Sequence, residues 1–255
     1  DVHIMATREG VSLLFCVALC FLPLEAREAV EGREFMVAFM QHNAHESYSP
    51  LEQNLFLYIS NPGTNTVNVR VEFYDLDTQP TIDLDIAPEA TQTVTLIETL
   101  MLQGATKHGK SVHVISDYVI QVQAIYELSQ QRKSYGGTGV LPMTSLTKDY
   151  VAATHCERRY CVLLVLATED GAEVKVKLRV GPGDDGGGLP HYNNQTYEDG
   201  DEITDSLNRG ESMQVLCYRC DLTGSWINSS KVVAVFSGGD FTRLSGMSKR
   251  DMVVE

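Results

Sequence analysis

The chain has 255 residues, 43% of them apolar, with 20 glycines and eight prolines, enough to bury a full core in one or two domains. Its formal net charge of −14 argues against nucleic acid and against an anionic membrane surface as partners.

Met5 opens a stretch with the pattern of a secretory signal. Arg8 supplies a weak basic start, residues 11–22 (VSLLFCVALCFL) an apolar centre, Pro23 a break and Ala26 a small residue for cleavage. Residues 1–26 are therefore expected to leave as a signal peptide, with residues 1–4, ahead of Met5, an artefact of the gene model. The twelve-residue apolar centre is too short to cross a bilayer, and no other run approaches the ~18 residues required, so no membrane span is expected. Loss of Arg8, Asp1, Glu9 and Glu25 leaves the chain acidic.

From residue 27 onward, strand signals dominate. EFMVAF (34–39) is a short apolar strand, and NLFLYIS (54–60) leads through Asn61-Pro62-Gly63 into Val67, Val69, Val71 and Phe73, which alternate with Asn68, Arg70 and Glu72. Asp75/Asp77 and Asp83/Asp85 read as solvated faces. Ile97 to Gln103, ending at Gly104, is the one short helix candidate. SVHVISDYVIQVQAIYE (111–127) is a strand, a turn around Ser116 and a second strand. QQRKSYGGTG (130–139) then reads as a boundary, after which the order begins again.

DYVAAT (149–154) corresponds to EFMVAF, and CVLLVLATEDGAEVKVKLRV (161–180) to NLFLYISNPGTNTVNVRV (54–71). LNRGESMQVL (207–216) corresponds to APEATQTVTL (87–96), and WINSSKVVAVFSGG (226–239) to the 111–127 stretch, with Ser116 on Ser229 and Val122 on Val235. Turns every ~8–12 residues between such strands indicate antiparallel sandwiches. The expected fold is all-β: two tandem, internally duplicated, sandwich-like lobes over residues 27–135 and 136–255, the second divergent or truncated at its C-terminal end.

The irregular stretch GPGDDGGGLPHYNNQTYEDGDE (181–202) has the Gly, Pro and charge content of a solvated insertion rather than a packed strand. Asp184, Asp185, Asp199, Asp201 and Glu202 offer oxygen ligands, but their spacing fits no EF-hand loop. With Tyr192 and Tyr197 they make this loop the candidate binding element, as acidic charge that steers a basic partner and aromatic area that interfaces favour.

Cys16 and Cys20 leave with the signal, and Cys156, Cys161, Cys217 and Cys220 remain, an even number that an oxidising compartment converts into two disulfides. Links from Cys156 or Cys161 to the Cys217/Cys220 pair suit neighbouring strand ends, but all three connectivities stay open. A zinc site built from the four cysteines is the alternative for the C-x-x-C spacing, and a secreted setting disfavours it. Asn194 and Asn228 begin N-x-[ST] sequons. No nucleophile elbow, zincin, phosphate-loop or dinucleotide motif is present, and His42 and His45 beside Glu46 read as a polar loop. Neither catalysis nor a metal or other cofactor is expected.

GREFMVAFMQ (32–41), LYISNPG (57–63), VHVISD (112–117), VLATEDGAEVKV (165–176), LNRGE (207–211) and DLTGSWINSSKVVAVFSG (221–238) together resemble the N-terminal domain of the IgG Fc-binding protein family, secreted and mucin-associated glycoproteins. The resemblance spans most of residues 32–239. It departs where Tyr118-Val119 and Ser230-Lys231-Val232 replace part of an Asp- and Pro-bearing turn, and where residues 240–255 lack a Cys. It implies an extracellular adhesion module that binds protein or glycan without catalysis; immunoglobulin Fc is a partner by resemblance alone, with no residue to carry it. A structural spacer of a larger glycoprotein and a divergent metal-dependent hydrolase are the alternatives.

Overall fold

A strand that alternates apolar and polar residues buries one face, and a strand that is apolar throughout buries both. Both kinds occur here, and their placement decides the architecture. The structure is a computed structural model and describes residues 30–41, 53–75, 79–128, 134–155, 159–182, 187–242 and 251–254. The signal region, His42, His45, Glu46, Asp77, Cys156, Asp184 and Asp185 lie outside the described residues.

The first half supplies β1 (Gly32–Val37), β2 (Gln53–Ser60), β3 (Val67–Tyr74), β4 (Ile82–Ile86), β5 (Thr91–Leu96), β6 (Lys107–His108), β7 (Ser111–Leu128) and β8 (Ser134–Val140). The second supplies β9 (Thr147–Val151), β10 (Tyr160–Ala167), β11 (Ala172–Lys177), β12 (Gly181–Pro182), β13 (Pro190–Tyr192), β14 (Gln195–Thr196), β15 (Glu202–Leu207), β16 (Ser212–Tyr218), β17 (Cys220–Asp221), β18 (Trp226–Thr242) and β19 (Asp251–Val254). The fold is all-β, in two main antiparallel sheets.

The first sheet runs β4-β3-β7-β2-β5, with β1 and β8 also on β7, and the second contains β15-β11-β18-β10-β16, with β9 and β19 also on β18. Strand for strand this is one design used twice. Register agrees: Ile59 faces Val122 and Val165 faces Val235, while Val69 faces Ser116 and Val174 faces Ser229. One stretch slips. Leu57 faces Val94 but Leu163 faces Val215, so 87–96 and 207–216, laid end to end, run one residue out of step. The turn confirms the shift, because Glu89 and Gly210 both have left-handed φ, 55° and 83°. Val235 also departs from its counterpart, being half-buried where Val122 is 2% exposed.

β11 (AEVKVK) buries Ala172, Val174 and Val176 and exposes the residues between them, as alternation demands. β10 instead buries Cys161 through Ala167 without a break. Cys161, Leu163, Val165 and Ala167 pack into the core of the second sheet, whereas Val162, Leu164 and Leu166 join Leu55, Leu57 and Ile59 in the core of the first. Leu216, Ala234 and Phe236 enter that first core too, so the outer face of the second sheet is covered by the first lobe.

Three expectations change. Ile97–Gln103 is a single 3-10 turn, Glu98–Leu100, between extended Ile97 and Met101; seven residues are too few to offset helix nucleation, and Leu100, Met101 and Leu102 gain more by burial. Residues 134–139, read as part of a boundary, belong to β8, paired along β7; a Cβ at Gly137 would sit 2.5 Å from Ile125 Cδ1, so glycine allows the approach. The 181–202 stretch holds packed strands, because Pro190 and Tyr192 are buried on the edge of β16.

Candidate binding surface at the disulfide turn

β16 ends in a tight reversal. Arg219 takes a left-handed φ of 52°, and β17 turns back so that Pro182 faces Cys220 and Gly181 faces Asp221. Cys217 and Cys220 are joined by a disulfide across this reversal, with Cα atoms 5.6 Å apart. Cys161 faces Cys217 across β10 and β16 and is itself disulfide-bonded. The link is thus local to the turn, rather than from Cys217 or Cys220 to the other pair. Asp221 Oδ1 accepts from Thr154 Oγ1 at 2.7 Å and from the Thr223 amide at 2.9 Å. Burial raises the Asp221 carboxyl, but those hydrogen bonds outweigh it and hold it below the ordinary aspartate range.

The stapled turn presents an aromatic group. The rings of Tyr160 and Tyr218 lie 5.2 Å apart, and the Arg219 guanidinium stands 5.3 Å from the Tyr218 ring centre. Tyr218 is 39% exposed and neighbouring Leu189 42%. The Gly188 amide donates to the Tyr218 carbonyl at 2.7 Å and the Arg219 amide to that of Arg159 at 2.6 Å. Both ends of the 183–186 segment, Pro182 and Gly187–Gly188, are therefore fastened to this turn. The structure brings Cys161, Cys217 and Cys220 together with Pro182 and Gly187–Gly188, the described residues that flank the acidic segment of the candidate loop.

The rest of that loop serves the fold. Tyr192, expected as exposed contact area, is 2% exposed in the second core and donates its hydroxyl to Asp205. Burial first, and Asp205 second, push its phenol far above the ordinary value. Tyr197 packs against the same core, and its hydroxyl donates to Gln195 at 2.9 Å. Asp199 accepts from the Val180 amide at 2.8 Å and Asp201 from that of Glu198 at 2.7 Å, while Glu202 starts β15 exposed. These carboxylates shape turns rather than converge; among the described residues no group of three His, Cys, Asp or Glu is placed to hold a metal.

The sequons differ. Asn193 and Asn194 have φ of 48° and 61°, the two left-handed positions of a two-residue hairpin loop between β13 and β14, and Asn194 stands exposed. The Asn-Asn pair between Tyr192 and Gln195 was the signal for this hairpin. Asn228 lies within β18, its Nδ2 donating to Asp149 at 2.7 Å.

Sequence reasoning missed a polar junction between the lobes. Arg209, in the turn before β16, donates through Nε to Tyr74 at 2.7 Å, through one terminal nitrogen to the Thr168 carbonyl at 2.9 Å and through the other to Glu34 at 3.1 Å. His113 lies between Glu34, 2.9 Å from Nε2, and Glu72, 3.2 Å from Nδ1. Nearby, the Gln41 amide donates to buried Gln214, whose own amide group donates to the Gly104 carbonyl. Partners up to 175 residues apart leave no local pattern to read.

Residues 136–255 match the IgGFc binding protein family. No curated protein and no solved structure matches the chain. The IgGFc binding protein match covers β9 to β19, and so the disulfide turn and the Tyr160–Tyr218–Arg219 group. The strands before it repeat the same order, so the resemblance drawn over 32–239 rests on the match in its second half and on topology in its first.

Proposed function

We propose that this protein is an extracellular, non-catalytic module that binds a protein or glycan, with immunoglobulin Fc the first partner to test. The IgGFc binding protein match carries the reading. Its chemistry is supported by Tyr218 and Arg219, on a turn that the Cys217–Cys220 bond pre-organises, with Tyr160 of β10 packed beside Tyr218; Tyr and Arg are residue types that dominate binding energy at protein interfaces. An oxidised disulfide fits secretion. The two repeats, 27–135 and 136–255, act as one unit, and the acidic 183–186 segment guides the encounter.

The test is a biosensor measurement on residues 27–255 with purified Fc fragment, with its glycan and without it. Saturable binding that Tyr218→Ala and Arg219→Ala each weaken by about tenfold or more supports the reading. Folded protein that binds neither form, or binding that both variants leave unchanged, contradicts it. The joined core of the two lobes favours a structural spacer as the second reading, and absence of any binding would support that instead.

A further inference from the structure

Trp226 is the one tryptophan of the chain, and its side chain faces solvent, 49% exposed. Its neighbour on β9, Val151, is 68% exposed, and its neighbour on β11 is Lys177. Ile227 and Ser229 point into the protein, 0% and 3% exposed. Trp226 and Asn228 therefore share the outward face of β18, about 7 Å apart along the strand. Beside Asn228 stand Asp149 on β9 and Lys175 on β11. The face is apolar at one end and hydrogen-bonding at the other.

A neutral, amphipathic occupant fits both ends, and Asn228-Ser229-Ser230 supplies one covalently. We infer that Asn228 carries an N-linked glycan whose first N-acetylhexosamine lies on the Trp226 indole, with Val151 extending the apolar contact and Asp149, Lys175 and Lys177 within reach of its polar groups. The inference rests on the extracellular reading. Transfer occurs before β18 is paired, from a polyprenyl-diphosphate-linked oligosaccharide. The bond between the anomeric carbon and the diphosphate breaks, a bond from that carbon to Nδ2 forms, and Nδ2 loses one proton as the polyprenyl diphosphate leaves. The remaining N–H of Asn228 still donates to Asp149 Oδ1, now 2.7 Å away, which fixes the carboxamide and with it the sugar. An indole covered by a pyranose also explains why a bulky apolar side chain stands exposed beside Val151 on this face.

Asn194 is the internal control. The aromatic residue two places before it, Tyr192, is buried, so its hairpin tip offers the sugar no platform. Residues 27–255 are secreted from a glycosylating cell line as wild type, N194Q, N228Q, W226A and the W226A/N228Q double variant. Glycopeptide mass spectrometry reads occupancy and thermal melting reads Tm. Asn228 should be occupied, N228Q should lower Tm by about 2–4 °C in the wild-type background and have little effect in the W226A background, and N194Q should leave Tm unchanged. A bare Asn228 in the secreted protein, whatever the state of Asn194, would overturn this inference alone, and failure of residues 5–255 to be secreted behind their own leader would overturn the extracellular reading too. An equal Tm loss from N228Q in both backgrounds, or free chitobiose binding that W226A abolishes, would also overturn it, the last by assigning the indole to a soluble sugar.

Discussion

At the scale of single residues, Arg209 ties the lobes most directly. Its side chain reaches Tyr74 and Glu34 from the other repeat and the Thr168 carbonyl from its own. Arg209→Met keeps the aliphatic stem and removes the hydrogen bonds, so it should cost about 1–3 kcal/mol, read as a lower urea midpoint. Beside it, a Cβ at Gly210 would meet Tyr74 Cγ at 2.4 Å while φ is 83°, so Gly210→Ala should destabilise through both strain and clash. Glu34 gives the junction a pH dependence. Burial raises its carboxyl, but hydrogen bonds from His113 and Arg209 outweigh that and hold it below its ordinary value of 4.5. A depressed folded value means the stabilisation is present above 4.5 and is lost as pH falls through the folded value. Urea midpoints followed downward through that window should fall less steeply in Glu34→Gln than in wild type, and parallel slopes would contradict this. Asn208-Arg209-Gly210 was legible as a turn, because turn chemistry is local. The partners of Arg209 were not, because only the packing of one repeat on the other brings them near.

At the scale of elements, β10 and β13 mark how far pattern reaches. The run Val162–Ala167 announced a buried strand, and its lack of alternation is explained by the two cores it serves. β13 was hidden in a composition rich in Gly, Pro and Asp, where Tyr192 looked like surface. Tyr192→Ala should cost about 3–5 kcal/mol through the cavity alone. Tyr192→Phe should cost about 1–3 kcal/mol, since Asp205 loses its donor. Deletion of residues 183–200 accordingly removes core as well as loop, so it tests folding before it tests binding. The stapled turn makes a sharper statement. A non-reducing digest should yield Cys217 and Cys220 linked within one peptide, and a link from either to Cys156 or Cys161 would contradict it. Cysteine spacing alone left three connectivities, and choosing among them required the path of β16 into β17.

At the scale of the whole molecule, one sheet design occurs twice, and the copies are not independent. The order of matching segments made the duplication readable, since each copy keeps its own strands and turns. The joining of the copies was not readable, because it lies in which face of β10, β16 and β18 meets the first lobe. Leu164 is wholly buried in the shared core although it belongs to the second repeat. Leu164→Ala should therefore cost about 2–5 kcal/mol and weaken both repeats together. Calorimetry of residues 27–255 and of this variant measures that coupling most directly. A single transition, with equal calorimetric and van't Hoff enthalpies, that moves as a whole to lower temperature in Leu164→Ala is the expected result. Two separate transitions, only one of them shifted by the substitution, would contradict it.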